Sequence, residues 1–171
     1  QNRLVFSNMS IMDNMLVCAS HQSLNPWHIL FKRKKISRMD SELRLKAINI
    51  WEELLGPNNF LQEKQSDSAG TLSYGQQRIL ALCCLLMDSS NLVLLDEPTS
   101  GLSPNMVRQI SQIIKKLKSK GVTLFVIEHN WEFVKENADY IFYLANGEIS
   151  ISGLKKDMLE NELLKKDYIN A

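Results

Sequence analysis

The stretch from Asn91 to Ser103 constrains the fold of this chain more than any other. Leu92–Leu95 form an apolar run with the length and character of a strand buried on both faces of a parallel sheet. Asp96 and Glu97 follow directly, and Pro98 prevents the strand from continuing. Open α/β sheets bind ligands beyond the carboxyl ends of their strands. The two acids therefore suggest a metal ligand and a base; a solvated turn after a buried strand is the alternative.

A helix and a second strand are predicted to follow. Ser103 and Pro104 occupy cap and first-turn positions, apolar residues then recur at helical spacing, and Gly121 ends the helix. The next apolar run, Val122–Ile127, reads as a second buried strand. Residues 92–127 are therefore a strand–helix–strand unit, whose crossover should be right-handed.

This topology predicts where the polar groups lie. The two strands of such a unit are parallel, so they end at the same edge of the sheet. Glu128 and His129 follow the second strand. We therefore expect them beside Asp96 and Glu97.

Composition narrows the class of protein. The hydrophobic fraction is 44% and the charged fraction 23%, as in soluble globular proteins. Twenty basic and nineteen acidic residues give a net charge of +1, so the total charge does not predict nucleic acid or anionic lipid as a partner. The longest apolar run, residues 79–87, is well short of the roughly 20 residues that span a bilayer. The cysteines are expected to be reduced core thiols: Cys18, Cys83 and Cys84.

The remaining elements follow from capping patterns, turn residues and periodicity. Before the first strand we predict a helix from Ser10 that fades near Gln22, followed by a surface excursion over 23–36. A second helix is opened by a Ser37–Asp40 capping box and ended by Gly56–Pro57. A loop over 57–71 then leads to a third helix from Ser73 to Met87. After the second strand we predict a helix Trp131–Asn137, a strand Tyr140–Leu144, an Asn146–Gly147 turn, a strand Glu148–Ser152 returning antiparallel at the sheet's edge, and charged helices within 154–169. Trp51 is expected in the core.

Residues Leu72–Arg78 carry a second candidate site. Ser73 and Gln76 form a capping box, and Gly75 would let another molecule approach the backbone. An exposed helix N-terminus with a hydroxyl and a glycine can bind an anion. An isolated capping box is the alternative.

Taken together, these motifs resemble the nucleotide-binding subunit of an ABC transporter. Leu72–Arg78 matches the family signature, with Tyr74 where the family usually has glycine. Leu92–Glu97 resembles the Walker B strand, Ser100, Gly101, Leu102 and Ser103 resemble the D-loop, His129 resembles the switch histidine, and Gln1 resembles the Q-loop glutamine. The pattern is most similar to the ATPases of branched-chain amino-acid importers and near relatives, including the lipopolysaccharide-export ATPase.

The resemblance implies a role for each motif. Asp96 would hold Mg²⁺, and Gln1 would touch the metal or the water. Glu97 would polarise the attacking water, and His129 would hold the γ-phosphate and water in line. The signature residues would contact an ATP molecule held by a partner subunit: Ser73, Tyr74, Gly75 and Gln76.

The fold implied is α/β, a partial P-loop NTPase (ABC ATPase) fold. It has a mostly parallel sheet, an α-helical subdomain, and a C-terminal β-hairpin and helices. The expected division is 1–10 as a Q-loop remnant, 11–71 as the helical signature subdomain, 72–153 as the C-terminal part of the ATPase core, and 154–171 as a helical tail.

The function implied is an ATP-binding and ATP-hydrolysing subunit of an ABC transporter, peripheral at the cytoplasmic face of the plasma (inner) membrane. Its partners would be a second ATPase subunit and transmembrane permease subunits, and no nucleic acid. None of the seven glycines begins the phosphate-binding pattern G-x-x-x-x-G-K-[ST], which we expect upstream of Gln1. This chain alone is therefore not expected to hold its own ATP. A non-hydrolysing half-site that offers its signature to a partner's ATP is the alternative, as is an ATPase of the lipopolysaccharide-export type.

Overall fold

A computed structural model describes residues 5–19, 33–88, 91–161 and 164, with only the backbone of residues 33–38. In chain order its elements are α1 (Ile11–Cys18), α2 (Arg33–Leu55), α3 (Phe60–Glu63), a 3-10 turn (Ala69–Thr71), α4 (Tyr74–Leu85), β1 (Leu92–Asp96), α5 (Pro104–Ser119), β2 (Thr123–Ile127), α6 (Trp131–Asn137), β3 (Tyr140–Ala145), β4 (Glu148–Leu154) and α7 (Lys155–Glu160). Within these ranges, no helix combines the length and apolar character that crossing a bilayer requires.

The predicted strand–helix–strand unit is confirmed. β1 and β2 pair in parallel, in a register that runs from Leu92 opposite Thr123 to Asp96 opposite Ile127. Helix α5 connects them, and Gly121 ends its last turn with φ +79°, a conformation that favours glycine.

The hairpin is also confirmed, but its place in the sheet is not. β3 and β4 are antiparallel, and Asn146 and Gly147 both have positive φ, as a type I′ turn requires. The two strands form a two-stranded sheet of their own and do not extend the β1–β2 sheet. The hairpin nevertheless lies near that sheet, because the rings of Phe125 and Phe142 have centroids 6.4 Å apart. Turn residues fix the pairing within a hairpin, but not which sheet the hairpin joins.

Two predicted boundaries upstream are wrong. Helix α1 ends at Cys18, before the predicted end near Gln22, a position outside the described residues. Helix α2 begins at Arg33, so 33–36 are helical and the Ser37–Asp40 pattern lies inside the helix instead of capping it. Residues 33–35 are Arg, Lys and Lys, and because both residue types are good helix formers, nothing in this basic stretch stops the helix from extending. Asp40 instead accepts a hydrogen bond from Arg44 Nε at 2.8 Å. The rest of the excursion, 23–32, lies outside the described residues.

The predicted loop over 57–71 contains short structured turns. Asn59 caps helix α3 through its side-chain oxygen, and Gln62 closes the capping box. The 3-10 turn follows, and Ala69 N donates to Met9 O at 2.9 Å. Asn, Ser and Gly mark irregular chain, but the same side chains also cap short helices, which composition alone does not reveal.

One apolar cluster runs from the helices to β1. Trp51, at 0% exposure, is buried among α1, α2, α4 and α5, as predicted for the core. The largest fully buried side chains of this cluster are Trp51, Ile11, Met15, Leu61, Ile79, Leu80, Ile110, Ile113, Ile114 and Leu117. A second, smaller cluster contains Ile141, Met158 and Leu164. The division of the chain into domains stays a prediction.

The prediction that β1 and β2 are buried on both faces is wrong for the described residues. Val93 and Leu95 are buried in the large cluster, whereas Leu94 is 70% exposed. On β2, Phe125 and Ile127 are exposed in the same way. An apolar run shows that a strand can be buried, but covering its second face requires another layer of structure.

All three cysteines are free, as predicted. Cys83 and Cys84 are buried, whereas Cys18 at the end of α1 is half-buried. A hydrogen bond with Cys84 lowers the pKa of Cys18 to about 7. Burial raises the pKa of Cys83 to about 12. The hydrogen bond with Cys18, together with burial, raises the pKa of Cys84.

Replacing Trp51 by alanine should lower the free energy of unfolding by about 3–5 kcal/mol, because it leaves a large cavity. Trp51→Phe should cost less, since the indole N–H has no hydrogen-bond acceptor among the described residues. Urea denaturation measures both. Leu45→Ala is the control, because Leu45 lies on the same helix and is 60% exposed. Equal losses for Trp51→Ala and Leu45→Ala would contradict the assigned core.

Alkylation by iodoacetamide should modify Cys18 first, with a rate that rises as pH increases through about 7. The thiolate is the reactive form, so a lowered pKa makes Cys18 reactive at neutral pH. Burial and raised pKa values should keep Cys83 and Cys84 slow. Peptide mass spectrometry over a pH series measures each rate, and faster labelling of Cys83 than of Cys18 would refute the assignment.

Candidate functional site

The carboxyl edge of the β1–β2 sheet carries the four residues predicted there. Asp96 pairs with Ile127 in the last rung of the ladder, so the residues that follow each strand are neighbours. Glu97 N donates to Ile127 O at 2.9 Å and extends the pairing by one bond. His129 Nδ1 lies 3.4 Å from Glu97 Oε1. The predicted proximity of Glu97 and His129 is therefore confirmed, while their catalytic roles stay predictions.

The backbone of Glu97 is strained. Its φ is +44°, which an ordinary side chain rarely adopts and which costs on the order of 1–3 kcal/mol. Its carbonyl oxygen accepts hydrogen bonds from Ser100 N at 3.2 Å and from the guanidinium of Arg78. Together with the bond from its N–H, these contacts hold both polar groups of the Glu97 backbone.

Glu128 joins the loops that follow the two strands. Its Oε1 accepts hydrogen bonds from Thr99 N at 2.8 Å and from the Thr99 hydroxyl. Its Oε2 accepts from His129 N and Asn130 N, both at 3.1 Å. A single carboxylate therefore fixes the turn after β1 against the backbone of His129.

The predicted capping box at the start of α4 is confirmed. Ser73 Oγ accepts from Gln76 N at 3.3 Å, and Gln76 Oε1 accepts from Ser73 N at 3.0 Å. Ser73 and Tyr74 are exposed. The N-terminus of this helix is thus accessible, and its aligned N–H groups favour a negatively charged ligand.

Gly75 packs against a neighbouring helix of the same chain. A Cβ placed there would lie 2.8 Å from Met106 Cε and 3.0 Å from Met106 Cγ. The space on the Cβ side of this glycine is therefore filled by α5, and approach of another molecule to its backbone stays a prediction. Leu102 contacts the same position at 3.5 Å, so α4 and the loop before α5 are packed together.

The predicted D-loop, residues 100–103, is a tight turn between β1 and α5. Gly101 has φ +72°, and a Cβ there would lie 4.0 Å from the Tyr74 ring. Ser103 caps α5, with its Oγ accepting from Met106 N at 3.5 Å. Ser100 bonds to the Glu97 carbonyl, and Leu102 packs against the large core cluster. This segment therefore connects the signature helix to the edge of the sheet.

The donors present fit Mg²⁺ bound together with a phosphate ligand. Asp96 is an exposed carboxylate at the end of β1. Over the described ranges, His, Cys, Asp and Glu form no group of three that could hold a metal by themselves. Mg²⁺ is typically held by one or two carboxylates with water and substrate phosphates, so a lone aspartate suits it. The second predicted ligand, Gln1, lies outside the described residues.

Sequence reasoning assigned no function to three residues that support this site: Arg78, Thr99 and Glu128. Arg78 lies in the signature segment, but its contact with Glu97 spans 19 positions and no local pattern reveals it. Glu128 was placed at the edge only by topology. The signal that could have identified these three residues is that each is a polar side chain within or next to a recognised motif.

The ABC transporter family model matches residues 1–100. The match covers more than half of the chain, and the chain belongs to this family. The expected resemblance is thereby confirmed.

Two relatives of this chain are named as amino-acid transport proteins. The high-affinity branched-chain amino acid transport ATP-binding protein BraF of Pseudomonas aeruginosa is 33% identical over 172 residues, which cover 99% of this chain and 65% of the relative. The arginine transport ATP-binding protein ArgV of Corynebacterium glutamicum is 27% identical and covers all of this chain and 61% of the relative. The chain thus spans less than two thirds of the length of these relatives.

A solved structure confirms the fold. An ATP-binding cassette of an ABC transporter, crystallised in its ADP conformation, superposes with a TM-score of 0.72 at 27% identity. The superposition covers 96% of this chain and 64% of that chain. The described residues therefore form part of an ABC ATPase, a P-loop NTPase fold, as the sequence predicted.

Replacing Glu128 by alanine should lower the free energy of unfolding by about 2–3 kcal/mol, because it leaves several loop N–H groups without their acceptor. Thermal and urea denaturation measure the change. The matched control is Glu132→Ala, whose side chain is 81% exposed and pairs with Lys135 at the surface, so a change within about 0.5 kcal/mol is expected. If the two variants were equally stable, Glu128 would not hold these loops.

Proposed function

We propose that this chain is the hydrolytic part of an ATP-binding subunit that powers an ABC transporter for branched-chain amino acids or similar small solutes. The observation that carries the proposal is the Glu97–His129 pair at the carboxyl edge of the parallel sheet. A carboxylate and an imidazole at this distance can act on one water molecule. Membership of the family and the named amino-acid relatives support the same assignment.

Each side chain at the edge has a proposed task. Glu97 orients and polarises the attacking water, because a carboxylate within hydrogen-bond reach can accept its proton. His129, which is exposed beside it, donates to the γ-phosphate. Asp96 holds Mg²⁺, which when bound neutralises charge on the phosphates.

The signature residues are proposed to complete a second site in a partner subunit. Ser73 and the N-terminal end of α4 present the positive end of the helix dipole to the phosphates of an ATP held by that partner. No phosphate-binding loop occurs within these 171 residues, so other residues must hold the β- and γ-phosphates. The remaining partners proposed are transmembrane permease subunits, with the ATPase bound peripherally at the cytoplasmic face of the membrane.

Glu97→Gln should reduce the turnover of ATP by the full gene product by about 100-fold or more, while ATP binding is retained. Glutamine keeps the size and polarity but cannot accept the proton. Release of inorganic phosphate measures hydrolysis, and a fluorescent nucleotide measures binding.

The matched control is Glu132→Gln, which removes an exposed carboxylate paired with Lys135 and should leave turnover unchanged. Undiminished hydrolysis in Glu97→Gln would contradict the proposed role. A wild-type protein that binds a partner's ATP but never hydrolyses it would instead support the half-site alternative.

A further inference from the structure

We propose that Arg78 is a positioning residue that holds Glu97 in its strained, productive backbone conformation, and that Tyr74 in turn holds Arg78. This inference rests on the proposed function. It makes the signature helix part of the machinery that orients the glutamate of its own subunit, in addition to the contact that it offers to a partner.

The guanidinium of Arg78 has three contacts. One terminal nitrogen, Nη1, donates to the carbonyl oxygen of Glu97. The other, Nη2, donates to the Tyr74 hydroxyl at 2.7 Å. The guanidinium carbon also lies 5.1 Å from the centroid of the Tyr74 ring, within cation–π range. A planar guanidinium held at its face and at two nitrogens has little freedom to move, so the position of its N–H toward Glu97 is fixed.

Stability alone is a poor explanation for this arrangement. The Nε atom of Arg78 is buried and has no hydrogen-bond acceptor in the described part of the chain. Leaving the buried Nε donor of this half-buried side chain unsatisfied costs free energy that an apolar side chain of similar size would not cost. What the arginine adds is a charged donor at one defined place.

The Arg78 donor is directed at the carbonyl of Glu97, whose strained backbone needs contacts to hold it. At φ +44°, Glu97 persists only if its surroundings oppose relaxation to an ordinary conformation. The other donor to its carbonyl, Ser100 N, is at 3.2 Å, the long end of the normal range. A charged donor makes the stronger bond. Without it the peptide after Glu97 can rotate, and the carboxylate then moves relative to His129.

Tyr74 extends this arrangement to the surface. It is the residue at which this signature departs from the usual glycine, it is 49% exposed, and a Cβ added to Gly101 of the D-loop would lie 4.0 Å from its ring. Any molecule that contacts the start of α4 therefore contacts the residue that holds Arg78. Engagement of the signature by a partner would reach Glu97 through only two side chains.

The test compares Arg78→Lys, Tyr74→Phe and Glu97→Gln in the full gene product. Lysine keeps the charge but cannot bond Glu97 and Tyr74 in one plane, so turnover should fall about 10-fold or more while the affinity for ATP changes less than about twofold. Phenylalanine keeps the ring but removes the acceptor for Nη2, so turnover should fall by about threefold. Arg44→Lys is the control, since Arg44 pairs with exposed Asp40 on α2 and should leave turnover unchanged.

A double-mutant cycle separates positioning from a purely structural role. If Arg78 acts through Glu97, Arg78→Lys should lower the residual turnover of Glu97→Gln by less than about twofold. In the Arg78→Lys background, Tyr74→Phe should likewise cause no further loss of turnover. Should Arg78→Lys fail to fold, the cycle between Tyr74→Phe and Glu97→Gln decides in its place.

The outcomes distinguish this inference from the proposed function. If Glu97→Gln abolished turnover and Arg78→Lys left it intact, the inference would be wrong and the proposed function would stand. The inference would also be overturned if Arg78→Lys lowered turnover by the same factor in the wild-type protein and in Glu97→Gln. A loss of ATP affinity as large as the loss of turnover would overturn it as well. A wild-type protein without Glu97-dependent hydrolysis would overturn both.

Discussion

The parallel pairing of β1 with β2 is the constraint on which the rest of this structure depends. The ladder from Leu92–Thr123 to Asp96–Ile127 ends both strands at one edge and brings the residues after them within hydrogen-bond reach. Helix α5 makes this pairing possible, because parallel strands need a long crossover. Its apolar face then joins the core around Trp51. Acidic and imidazole groups from positions about thirty residues apart are neighbours for this reason.

The edge is held by contacts that converge on two backbone segments. Glu128 accepts from the turn after β1 and from the start of the loop after β2, which fixes them relative to each other. Glu97 carries the strain, and its N–H and carbonyl are both bonded. A strained residue supported from several sides is typical of functional sites, where orientation matters more than local stability. The packing of Gly75 against Met106 adds the signature helix to this rigid unit.

Much of the fold could be predicted because its signals are local. The caps at Ser73 and Ser103, the turn at Asn146–Gly147 and the stripe of α5 lie where the sequence indicated. The start of α2 could not be predicted, since a basic stretch is compatible with both loop and helix. For the site, topology predicted the meeting of Glu97 with His129. The hydrogen bond from Arg78 to the Glu97 carbonyl oxygen could not be predicted, because a contact between distant positions produces no periodic pattern in the sequence.

The sequence by itself determined the order of the longer helices and the strands, the family and the identity of the polar groups at the sheet edge, because caps, breakers and apolar spacing act over a few residues. Only the tertiary structure decided that β1 and β2 are covered on one face, that β3 and β4 pair apart from them, and that the signature helix contacts Glu97. The physical reason is the range of the interactions. Burial and long-range hydrogen bonds depend on which surfaces meet after the chain has folded, and a local pattern contains no information about that meeting.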